Sequence, residues 1–152
     1  MSIEQYNEKL VSAHCEKLEH LYLAAPCNEY FDPGVRISEG QAEIVIPIQE
    51  KFFRAAGSVH ASIFFTAMAD SALFAVNSIV ENALVLTVSF NTDLTRPISA
   101  GELIARGRFL DKSDDRYLAD SVLTDPEGRE IGRGSGAFAE STIPLSPEIG
   151  YT

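Results

Sequence analysis

Apolar residues recur at Ile3, Tyr6, Leu10, Val11, Leu18, Leu21 and Tyr22, with Glu and Lys between them. That spacing predicts an amphipathic helix from Ile3 to about Leu23, resting one face on the body of the protein. Ala24-Ala25-Pro26 ends it, because proline cannot continue the hydrogen-bond ladder. Asp32-Pro33-Gly34 marks a turn, and Val35–Ile37 and Gln41–Ile48 form a hairpin around Ser38-Glu39-Gly40. The pattern then changes. From about His60 to Val80 the chain is apolar almost all round and too long for a strand, which predicts a helix enclosed by other structure.

Strands follow. In Leu84–Thr95 the residues Leu84, Leu86, Val88, Phe90 and Leu94 alternate with Val85, Thr87, Ser89, Asn91, Asp93 and Thr95. Strict alternation predicts one buried face carrying the first set and one polar face carrying the second. Glu102–Leu110, Arg116–Thr124 and Arg129–Ala139 complete a meander, separated by polar turns at Asp111–Asp115 and Asp125–Gly128. Gly132, Gly134 and Gly136 share one face of the last strand, a pattern that lets another backbone or a helix come close. The segment 141–152, with Pro144 and Pro147, reads as a loosely held tail. The order is helix, hairpin, buried helix and four strands. It predicts an α+β fold in which a curved antiparallel sheet of about six strands wraps one long central helix. Residues 1–34 form the N-terminal helix and lead-in, and 35–140 the single domain.

A length of 152 residues suits one core, and a formal net charge of -10 offers no basic stripe for nucleic acid. The first twenty residues lack the basic-then-apolar order of an export signal, and the uncharged run from Ala55 to Ala69 is too short to span a membrane. Cys15 and Cys27 lack metal-ligand spacing and read as free thiols, so a cytoplasmic protein with no metal is expected. Signatures for phosphate loops, dinucleotide folds, zinc hydrolases and serine nucleophile elbows are missing.

The chemistry concentrates in the buried helix. Between Arg54 and Glu81 the chain carries one formal charge, Asp70. A carboxylate in such surroundings must find hydrogen bonds or shift its pKa. Ser62, Thr66 and Asp70 recur every four residues and make one polar stripe, either an active site or a contact lined by small residues. Gly57 and Ser58 suit a turn and N-cap, leaving backbone N–H groups near His60–Ser62 free to meet an oxyanion.

Three stretches together resemble the hotdog-fold acyl-CoA thioesterases, in particular the phenylacetic-acid-pathway (PaaI-type) and 4-hydroxybenzoyl-CoA branches. They are Gly57-Ser58-Val59-His60-Ala61-Ser62, Ala69-Asp70-Ser71-Ala72, and the strand end Phe90-Asn91-Thr92-Asp93-Leu94-Thr95-Arg96-Pro97 with Gly101. The resemblance covers about residues 35–140. It implies a hotdog domain pairing into dimers or tetramers, with sites between subunits. It implies hydrolysis of an acyl- or aryl-CoA thioester with no cofactor beyond the coenzyme A of the substrate. By position, Asp70 is the nucleophile or general base, the Ala61 N–H after His60 polarises the thioester carbonyl, and Thr87, with Ser89 nearby, helps place water. Ser62 and Thr66 would line the substrate path. Arg96, Arg106, Arg108 and Arg116 read either as ligands for the coenzyme A phosphates or as solvated strand residues. Phe64, Phe65, Met68, Leu73 and Phe74 read as core or as the wall of an acyl pocket. The chain departs from the family where paired glycines become Ala61 and Ser62, where an asparagine becomes Arg54, and where His60 and Asp70 stand ten apart rather than nine. The extra residue predicts a remodelled helix start or a π-bulge. The Ala61-Ser62 replacement and the altered spacing suit a non-catalytic acyl-CoA or acyl-lipid binding module, and a third reading is an enoyl or hydroxyacyl thioester hydratase.

Overall fold

The computed structural model describes all residues, Met1–Thr152. Helix α1 spans Ile3–Ala24 and a single turn, α2, spans Asn28–Phe31. Strands β1 (Gly34–Ser38) and β2 (Gln41–Pro47) form the expected hairpin, helix α3 (Ala61–Asn77) follows, and β3 (Ala83–Leu94), β4 (Glu102–Ser113), β5 (Arg116–Thr124) and β6 (Glu130–Pro144) complete the chain. The six strands make one antiparallel sheet in the order β1-β2-β4-β5-β6-β3. The expected α+β arrangement, a sheet curved around one long helix, is what the chain adopts.

Helix α3 buries Ile63, Phe64, Ala67, Met68, Ala72, Phe74, Ala75 and Val76 against Ile44, Ile46, Leu103, Ala105, Leu123, Ile131 and Phe138 of the sheet. The closest approach is at Gly107, where a Cβ would stand 2.2 Å from the backbone carbon and oxygen of Ser71. Beside it the Ser71 and Ser121 hydroxyls bond each other at 2.7 Å. The helix is therefore clamped to β4 and β5 immediately next to Asp70. The glycine face of β6 does admit a close backbone, that of β3: a Cβ on Gly136 would lie 2.2 Å from the Ser89 carbonyl.

Three expectations need correction. On β3, Val85 is fully buried, whereas Leu86 and Val88 are 46% and 50% exposed. The cause is a bulge: Thr87 faces Phe138 and Ser89 faces Ala137, so Val88 is an extra residue and the two-residue period breaks there. Beyond it Phe90 turns inward onto Phe138 and Phe65. On α1, only the C-terminal half is embedded, through His14, Cys15, Leu18, Leu21 and Tyr22, while Ile3, Tyr6 and Leu10 stand clear of the body. The C-terminal segment is not loose. Strand β6 runs to Pro144, and Gly150 packs on the Leu21 backbone and Ala24. His14 donates from Nε2 to the Asn77 carbonyl at 2.8 Å, leaving Nδ1 to accept the Tyr151 hydroxyl at 2.8 Å. Both cysteines are free thiols, as expected. No helix is long and apolar enough to cross a membrane.

Candidate active site

The start of α3 is built by the loop before it. Phe53 and Val59 pair as an isolated bridge, and Gly57 takes the positive φ of 84° that the turn between them requires. The His60 N–H donates to the Phe52 carbonyl at 2.8 Å, which fixes where the helix begins. The cap itself is His60, not Ser58: its Nδ1 accepts the Ser62 N–H at 3.1 Å and the Ser62 hydroxyl at 2.8 Å. The helix is α-helical throughout, so no π-bulge absorbs the ten-residue spacing. Of the N–H groups expected to be free near His60–Ser62, only that of Ala61 has no acceptor in the chain.

The Ala61 end opens into a cavity of about 300 Å³ lined by Arg54, Ser58, Phe64, Leu94, Thr95 and Arg96 among others. Neither Arg54 nor Arg96 has a carboxylate partner. The fold thus places Arg96 and Arg54 around one cavity with Ala61.

Asp70 lies nine residues further on, about 13 Å along the axis and half a turn round from Ala61. One chain therefore cannot bring its own Asp70 and its own Ala61 N–H to one carbonyl. Asp70 is half-buried, and burial pushes its carboxyl pKa up from 3.8 to about 6. A hydrogen bond opposes that rise: the Tyr22 hydroxyl of α1 donates to Asp70 Oδ2 at 2.9 Å. Burial, aided by the adjacent Asp70 charge, drives the Tyr22 phenol pKa strongly upward, so this hydroxyl stays protonated as the donor. Asp70 Oδ1 takes no hydrogen bond within the chain, and it is not sealed from solvent.

The remaining assignments divide. Thr66 and Ser62 do lie on the Asp70 stripe, but Thr66 Oγ1 donates to the Ser62 carbonyl at 2.9 Å and Ser62 is engaged with His60. Thr87 and Ser89 are both exposed on β3, and the bulge between them turns them to opposite sides of the strand. Arg106 and Arg108 do not reach this region. Gly107 points at α3, so its neighbours point to the other face of the sheet. There Arg106 pairs with Glu43 at 3.0 Å and Arg108 pairs with Asp120 through two bonds of 2.9 and 3.1 Å. Phe64, Met68 and Phe74 are core, Leu73 is half-buried, and Phe65 is 43% exposed against Phe90.

The sequence placed Tyr22 on the apolar face of α1 and offered nothing local to show where its hydroxyl points. Only the packing of α1 over the end of α3 reveals it. Arg54 stood out only as a departure from the family pattern, and the loop that folds it back beside Arg96 has no signature beyond Gly57.

Solved structures share this architecture. The PaaI protein from the phenylacetic acid degradation operon of E. coli superimposes with a TM-score of 0.80 at 14% identity, over 90% of this chain and 99% of that one. The chain has the hotdog fold. A thioesterase family protein from Silicibacter pomeroyi matches with a TM-score of 0.75 at 20% identity, over 83% of this chain and 96% of that one. No family model matches the sequence, and no curated protein matches it.

Proposed function

We propose that this hotdog protein hydrolyses an acyl- or aryl-CoA thioester to the free acid and coenzyme A, working as a dimer or tetramer. The observation that carries the reading is the half-buried Asp70 with an unbonded Oδ1, on the same helix as an unbonded Ala61 N–H that it cannot itself reach. A second copy supplies the missing half: Asp70 of one subunit facing the α3 start of the other. β3 is the edge available for that pairing, 12 residues long, with Leu86, Val88 and Leu94 exposed.

In this site the thioester carbonyl oxygen accepts from the Ala61 N–H, where the helix dipole favours developing negative charge. Asp70 then attacks the carbonyl carbon through Oδ1, or takes a proton from a water that attacks in its place. The carbonyl electrons move to oxygen and return to expel the coenzyme A thiolate. By the first route an acyl-aspartyl anhydride remains for water to cleave. Arg96 and Arg54, cations without partners beside Ala61, suit the phosphates of coenzyme A; Arg106 and Arg108 are committed elsewhere. The chemistry needs no cofactor.

Purified protein should release free thiol from medium-chain or aryl acyl-CoA, and Asp70→Asn should lower kcat by about a thousandfold or more. Full activity in that variant would remove Asp70 from the mechanism. One observation favours a second reading, an acyl-CoA binding module. His60 occupies the Ser62 N–H, and Ala61 carries a side chain where the family pattern has glycine, so the oxyanion site is reduced to one donor. Thermal stabilisation by acyl-CoA without thiol release would establish that reading instead.

A further inference from the structure

Helix α1 lies outside the sequence motifs that resemble the thioesterases, yet it supplies the one hydrogen bond made to the candidate catalytic carboxylate. Tyr22 is well placed for more than packing. It is 4% exposed, and its ring stands edge-on to Phe74 with centroids 5.0 Å apart. Its carbonyl is held by Asn28 Nδ2 at 2.6 Å, so the backbone carrying it is fixed from the α2 side. Asp70 is fixed from the opposite side, by the Ser71–Ser121 bond and the Gly107 contact one residue along. Two rigid elements therefore meet at the single bond from Tyr22 to Oδ2.

We propose that Tyr22 is the positioning residue for Asp70: its hydroxyl holds Oδ2, so that Oδ1 is the oxygen presented at the protein surface. A carboxylate on a helix has two soft torsions, and a donor on one oxygen removes most of that freedom. It also leaves the lone pairs of the other oxygen unused. Reactive groups held by a supporting hydrogen bond start closer to the productive geometry, and small misplacements cost large factors in rate. Among the surrounding titratable groups, Tyr22 acts directly on Asp70, with Cys27 behind it acting on the phenol. The inward faces of the strands packed on α3 are mainly apolar. Tyr117 of β5 is engaged with Glu140, and the arginines of β4 point to the other face. The role of this hold in catalysis rests on the thioesterase reading; the hold itself does not.

The test uses the full chain with Tyr22→Phe, which removes the hydroxyl and keeps the ring on Phe74. Titration of the Asp70 carboxyl carbon by NMR, which needs no turnover, should show its pKa rising by about one unit once the donor is gone. On an acyl-CoA substrate, kcat should fall about tenfold with KM little changed, and the acid limb of the pH profile should move up with the carboxyl. An unmoved carboxyl titration in the folded variant overturns the proposal, whatever the activity. A moved titration in a protein that never releases thiol supports the hold and removes the thioesterase reading. If Tyr22→Phe does not fold, 3-fluorotyrosine at position 22 keeps the bond and strengthens the donor, so the Asp70 pKa must then move down. Failure to do so overturns the proposal equally.

Discussion

The two edges of the sheet are treated oppositely. At β1 the edge is covered: α1 lies along it, and Glu19 reaches across to accept the Ile37 N–H at 2.7 Å. At β3 the edge is longer, 12 residues against 5, no helix lies along it, and its one carboxylate, Asp93, sits next to its far end. It also exposes Leu86 and Val88 at 46% and 50%. Unpaired strand edges invite further strands, and proteins ordinarily blunt those they do not use. With the short edge covered and the long one open, β3 is the edge to which a further strand can add. The same division runs through the candidate site. The covered flank supplies Tyr22 and fixes Asp70. The open flank carries the Ala61 N–H, Arg54 and Arg96, groups without partners in the chain.

The largest expected effect comes from charging the bare edge. Leu86→Asp with Val88→Asp should weaken subunit association by about a hundredfold or more, read by sedimentation, and thiol release should fall with it. A variant that stays assembled would place the subunit contact elsewhere than β3.

The second effect concerns the covered flank and is best read in that edge-charged chain, where α1 acts alone. Folding raises the Asp70 pKa from 3.8 to about 6, so between those values the folded state holds the proton more tightly than the unfolded one. The contribution of Asp70 is therefore most favourable below about pH 4, declines through this window and is flat above it, a span of up to about 3 kcal/mol. Asp70→Asn should remove that slope and be the more stable form at pH 7, measured by denaturant unfolding across pH. A slope of opposite sign would mean that Asp70 is held charged. The smallest effect is at β1. Glu19→Gln keeps a weaker acceptor for Ile37 and should cost about 1 kcal/mol without changing assembly. A change in oligomeric state there would show that the β1 edge was not closed after all.

Tyr22 shows where legibility in the sequence ends. Its place on the apolar face of α1 is plain from helical spacing, but the same spacing serves Ile3, Tyr6 and Leu10, which are half or more exposed. Periodicity tells which side of a helix is apolar, not how far along it the neighbouring structure reaches. Strand β3 makes the same point. The alternation from Leu84 predicts the strand and, beyond Val88, the inward Phe90; before Val88 the inner face is the opposite one, because one extra residue there reverses the register and a bulge leaves no mark in composition. Gly107, where helix and sheet come too close to admit a Cβ, carries nothing in the sequence that sets it apart from the three glycines of β6.

Local chemistry along the chain determined the elements, their order, the enclosure of α3 and the isolation of Asp70 within it, because side-chain period, proline and turn residues act over a few positions at a time. Tertiary structure alone decided that Tyr22 bonds Asp70, that Arg54 joins Arg96 beside Ala61, that Arg106 and Arg108 lie across the sheet, and that the last residues are strapped to α1. Each of those is a meeting of residues distant in the chain. Such meetings depend on register and on the stacking of layers, which no short stretch of sequence specifies.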